Sequence, residues 1–84
     1  MTHIRIVIDN EVLFDDNLKA WQASPPDQFR DMIKPDAKPE PWMKAIMIVM
    51  TDAAMTGDSV SIEATTGMDR PGVWNWWSME VTRI

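Results

Sequence analysis

The stretch NEVLFDDNLKAWQA, residues 10–23, decides between two architectures. Phe14, Leu18 and Trp21 stand at i, i+4 and i+7, the spacing of one helical face. Asn10 or Asp15 suits the cap of such a helix, because a short polar side chain satisfies the backbone N–H groups of the first turn. A hairpin return through Val12–Phe14 competes with it. The stripe favours a helix from about Asp15, with the preceding residues as a connection, and gives the order β-α-α-α-β-β. The hairpin gives β-β-α-α-β-β instead. Either order is an α+β domain: a small, mainly antiparallel sheet, of about three strands in the favoured reading, with helices packed on one face.

On the N-terminal side, HIRIVID (3–9) alternates, with Ile4, Ile6 and Ile8 on one face and His3, Arg5 and Val7 on the other. That is the pattern of a half-buried strand. On the C-terminal side, SPPDQFRDMI (24–33) offers Ser24 as a cap, Pro25 in a first turn and a short helix burying Phe29, Met32 and Ile33. KPDAKPEP (34–41) is a proline-spaced linker, since each residue before a proline is pushed out of the α region. A third helix is expected from near Pro41 to about Thr56, with Gly57 as its stop. Lys44, Ile48, Thr51, Asp52 and Met55 form its one narrow outward stripe, and Trp, Met, Ile, Val and Ala fill the rest. So wide an apolar arc needs cover on two sides, from this chain or from another molecule.

DSVSIEATT (58–66) alternates again, placing Val60, Ile62 and Ala64 inward, and GMDRPG (67–72) reads as a hairpin connection. The last strand, from Val73 to about Ile84, contains VWNWWSMEV (73–81), with three of the chain's five tryptophans. Strand side chains alternate between faces. Trp77, Met79 and Val81 therefore belong to the helix-covered face, and Trp74 and Trp76 to the outer face beside Arg5, Glu63 and Glu80. A bulge at Asn75 or at the Pro71–Gly72 entry would exchange the faces.

Eighty-four residues form a single domain spanning 1–84, with a small core in which five Trp and eight Met supply much of the apolar mass. Absence of cysteine excludes disulfides, thiolate metal sites and cysteine nucleophiles, and makes a reducing cytoplasm the expected compartment. The longest apolar run, AIMIVM (45–50), is far below the roughly 20 residues that span a bilayer. Thirteen acids against eight scattered bases give a net charge of −5, which argues against nucleic acid and suits a basic protein partner.

The chemical motifs fail one by one. Asp9, Glu11, Asp15 and Asp16 lack the glycine and spacing of a calcium loop, and read as a strand end and helix-start acids. One histidine, His3, cannot build a zinc site of ordinary type. Neither a nucleophile elbow nor a phosphate-cradling glycine loop occurs. Glu63 and Glu80 could face each other across the last hairpin, but a solvated pair explains them better than an acid/base site. No enzyme, cofactor or metal is expected.

In overall character the whole chain resembles the small accessory proteins carried by bacteriophages and other mobile elements, though no single motif carries the resemblance. The favoured expectation is a non-catalytic protein-binding module, an inhibitor of a host protein in its most specific form. Trp74 and Trp76 would anchor the contact, with Arg5, Glu63 and Glu80 beside them. Two other expectations stand beside it: a structural homodimer through the apolar third helix at Met43, Met47 and Met50, and a small ligand or glycan stacked on the Trp74/Trp76 pair.

Overall fold

The computed structural model describes residues 2–30, 36, 38–71 and 73–84, with the side chains of Gln28 and Trp74 outside the description. Its elements are β1 (His3–Ile8), β2 (Glu11–Asn17), α1 (Leu18–Ala23), α2 (Asp27–Arg30), α3 (Pro41–Thr56), β3 (Val60–Arg70) and β4 (Val73–Arg83). The fold is α+β, with a four-stranded sheet in the order β2-β1-β3-β4. β1 pairs antiparallel with β2 and parallel with β3, and β3 pairs antiparallel with β4.

Residues 10–23 therefore resolve toward the hairpin: the expected three strands are four, and Asp15 and Asp16 lie in β2 rather than at a helix start. The turn is the reason. Asp9 and Asn10 adopt φ of 51° and 66°, and Ile8 pairs with Glu11 across them. A two-residue hairpin loop of the type that matches strand twist needs positive φ at both positions. Asp and Asn tolerate that region better than other non-glycine residues. Asp9 N–H donates to Ala64 O at 2.9 Å, which ties the turn to β3.

The register between β1 and β2 shifts at Ile6/Val7, where Ile6 pairs with Phe14 and Val7 with Val12. Leu13 is the extra residue of a bulge, and both Leu13 and Phe14 pack against the core. The chain then enters α1 with Asn17 as cap, its side chain accepting from Ala20 N–H at 2.9 Å. Phe14, Leu18 and Trp21 share the core as expected, but they reach it from a strand and a helix. Ser24 closes α1 instead of capping α2, whose first bonds run from Phe29 and Arg30 N–H to Pro26 O. Met32, Ile33 and much of the proline-spaced linker lie outside the described residues.

α3 begins at Pro41 and stops at Gly57, whose φ of 80° and N–H bond to Ala53 O form a left-handed cap. Trp42, Ile46, Met50 and Ala53 recur along one side and are buried. They meet Ile4 and Ile6 of β1 and Val60, Ile62 and Ala64 of β3. Full burial of one such aliphatic side chain stabilises the fold by about 1.5–3 kcal/mol. An aromatic chain extends the core sideways, from Phe14 to Trp21 (5.1 Å between centroids), to Phe29 (5.2 Å), to Trp42 (6.3 Å). The buried cluster is thus centred on β1 and β3, and of β4 Met79 packs against it.

Candidate protein-contact surface

Opposite the helices the sheet is open along β3 and β4, where Glu63, Thr65, Trp76, Ser78 and Glu80 are exposed, while Val7 of β1 on the same face is buried. Arg5 pairs in register with Ser61 and Val7 with Glu63, while Ser61, Glu63, Thr65 and Gly67 pair with Thr82, Glu80, Ser78 and Trp76. Directly paired residues share a face, so Arg5, Glu63, Glu80 and Trp76 lie together on this side, as the alternation of the sequence indicates. Trp77, Met79 and Val81 pair with Thr66, Ala64 and Ile62 and lie on the helix side.

Orientation and burial part company at Trp77. It occupies the core face yet remains 40% exposed, and Val81 beside it 41%. The expectation that Trp77 is a core residue is corrected accordingly. β4 is an edge strand, and α3 covers it only in part.

Trp76 is 52% exposed, and its indole lies over Gly67: a Cβ added there would stand 1.7 Å from its Cε2. Gly67 is a strand residue rather than part of the hairpin connection, and its missing side chain makes the seat for the ring. The bulge anticipated at Asn75 is present, because Gly67 pairs with Trp76 while Met68 pairs with Trp74. It falls before Trp76, so the alternation from Trp76 onward is untouched, but it does not run unbroken back to Trp74. The side chain of Trp74, and with it the expected indole pair, lies outside the described residues.

The charges of this face are sparsely matched. Arg5 Nη1 donates to Ser61 Oγ at 3.4 Å. Glu63 and Glu80 stand directly opposite each other, both exposed, and among the described residues neither forms an ion pair. Like charges in that position are unfavourable. His3 Nε2 lies 2.5 Å from Asp15 Oδ1 at the far edge.

The acidic run does not converge. Asp9 bonds Thr66, Asp15 bonds His3, and Asp16 Oδ1 accepts from Asn17 N–H. Among the described residues no group of three or more candidate metal ligands comes together.

α3 divides differently from the expected oligomer surface. Met50 is 3% exposed and belongs to the core, with Met43 and Met47 packed half-buried against it. The exposed apolar residues are Ile48 (69%) and Met55 (83%), within the stripe read as outward. Between this helix and β4 runs a groove of about 330 Å³ lined by Ile48, Val49, Asp52, Val81 and Arg83 among others. Sequence reasoning missed this groove because it depends on how far the helix layer extends across the sheet, which periodicity does not encode. Among the described residues, no helix is long and apolar enough to cross a membrane.

No curated protein and no solved structure matches the chain significantly. A family model described as "Domain of unknown function (DUF8277)" matches residues 3–83, nearly the whole chain. The chain belongs to the DUF8277 family.

Proposed function

We propose that this chain is a non-catalytic protein-binding module whose contact surface is the outer face of the sheet. Trp76 is the anchor, and Arg5, Glu63 and Glu80 are the charged residues of the same face. The observation that carries the reading is the Glu63–Glu80 juxtaposition on the same face as a half-exposed indole, with the Thr65–Ser78 pair between them. A pair of facing carboxylates works against stability, and local costs of this kind are expected where a surface serves a second purpose. A basic partner would relieve the repulsion by placing a cation between the two groups, and tryptophan is a preferred residue for interface anchors. Carboxylate-cation contacts at a rim weaken as salt rises.

The most specific form of the proposal is a small accessory protein of a phage or other mobile element that occupies a basic surface of a host protein. The test is capture from native host extract with three baits: the wild-type chain, Trp76→Ala, and Glu63→Gln/Glu80→Gln. A partner retained by wild type, lost with Trp76→Ala, and released at elevated salt supports the proposal, provided circular dichroism shows the variants folded. A partner retained equally by all three baits removes this face from consideration.

A further inference from the structure

β2 and β4 are the two edges of the sheet, and the sequence treats them differently. An edge strand presents unpaired N–H and C=O groups, and soluble proteins guard such edges with charge, bulges or brevity. β2 is guarded in all three ways: seven residues, a bulge at Leu13, and the carboxylates Glu11, Asp15 and Asp16. β4 has eleven residues, is dominated by Trp, Val, Met and Thr, and carries only Glu80 and Arg83 as charges. β4 too has a bulge, at Asn75, but from Trp76 to Arg83 its outer edge runs unbroken and has no strand partner among the described residues, and so long an open edge has a use.

The free groups can be placed. Ile84 N–H donates to Ser59 O at 3.0 Å, so residues 59 and 84 form a hydrogen-bonded antiparallel pair. Such pairs alternate with non-bonded ones. Trp76, Ser78, Glu80 and Thr82 therefore spend their backbone groups on β3, while Trp77, Met79, Val81 and Arg83 point theirs outward. The side chains of these outward residues lie on the helix face of the sheet.

We infer that β4 pairs antiparallel with β4 of a second copy of this chain, forming one continuous sheet through a two-fold axis at Ser78. In that register Trp77 faces Met79 of the second copy as a bonded pair, and sulfur–aromatic contact is favourable. Glu80 falls opposite Trp76 of the second copy, and the two Glu80 carboxylates stay four residues apart. An axis at Glu80 would set like charges face to face, and one at Met79 would bring them to diagonal contact, so the charge pattern disfavours both, and the Trp77–Met79 pairing favours Ser78. Eleven residues at about 3.4 Å each give an edge roughly 37 Å long and about 10 Å deep. Two such edges, with Trp77 and Val81, bury roughly 1,000 Å², the lower bound of a specific interface. The outer face proposed for a foreign partner stays uncovered in this dimer, and Trp76 and Glu80 of the two copies become neighbours on it.

Sedimentation equilibrium of the full chain, from one to one hundred micromolar, reads the result directly. The expected mass at the upper end is twice the 9.7 kDa of one chain, about 19.4 kDa. Val81→Pro removes an outward N–H without touching the β3 ladder, and Trp77→Lys places a charge in the pairing zone. Each should return the mass to that of the monomer while circular dichroism stays native. Ile48→Lys on α3 serves as the control and should leave the dimer intact. A wild-type monomer throughout the range overturns the inference. So does a dimer that survives both β4 variants, or one abolished only by Ile48→Lys.

Discussion

The Asp9 carboxylate accepts two hydrogen bonds from Thr66, from the backbone N–H at 2.7 Å and from Oγ1 at 2.6 Å. Thr66 is a buried polar residue, 8% exposed, and Asp9 lies at the tip of the β1–β2 hairpin. One side chain thereby fastens the local hairpin to a strand 57 positions away in sequence. Replacing Asp9 by Ala leaves two donors without an acceptor, a loss of about 1–3 kcal/mol. Urea denaturation should show that loss for Asp9→Ala and a smaller one for Asp9→Asn, which keeps an acceptor. Equal stability of Asp9→Ala and wild type would mean the clamp contributes nothing.

Asn17 rather than Asp15 caps α1, so the two positions should respond differently. Asn17→Ala is expected to cost about 0.5–2 kcal/mol, and Asn17→Gly only a few tenths. Asp15→Ala removes an exposed contact with His3 and should stay within about 0.5 kcal/mol of wild type. The reverse ranking in thermal melts would restore a helix beginning at Asp15.

Gly67 and Trp76 form a coupled pair across the last hairpin. Gly67→Ala forces the indole off the strand, and should move the Trp76 indole N–H resonance and destabilise by about 1 kcal/mol. The same change in a Trp76→Ala background should cost less, because the clash is gone and the alanine is better suited to a strand. Additive effects in that double-mutant cycle would argue that the ring does not sit on Gly67.

The two sides of α3 separate core from surface. Ile46 is fully buried and Ile46→Ala should cost about 2–5 kcal/mol. Ile48 and Met55 are exposed, and alanine at either should change stability by less than about 0.5 kcal/mol. Comparable losses at positions 46 and 48 would place the helix in a different rotation.

The alternations of residues 3–9 and 58–66 were legible because period-two patterns bind a strand to one buried face. α3 was legible because Pro41 and Gly57 punctuate it. Residues 10–17 were not, because a bulge at Leu13 lets consecutive apolar residues point inward and imitates the spacing of a helix. Asp9-Asn10 also lacks the glycine that usually advertises a two-residue hairpin turn. For the contact surface, pleat parity placed Arg5, Glu63, Glu80 and Trp76 on one face. It could not give the depth of Trp77, since burial there depends on where the helical layer ends. Nor could it reveal that Gly67 seats Trp76, a contact made across strands.

The division of indoles between a helix-covered core and an uncovered sheet face underlies both proposed surfaces. Adding a soluble gadolinium chelate to the protein and recording the broadening of assigned indole N–H signals tests it. Trp76 should broaden more strongly than Trp21 and Trp42, as their burial requires. A Trp76 signal as protected as those of Trp21 and Trp42 would contradict the arrangement.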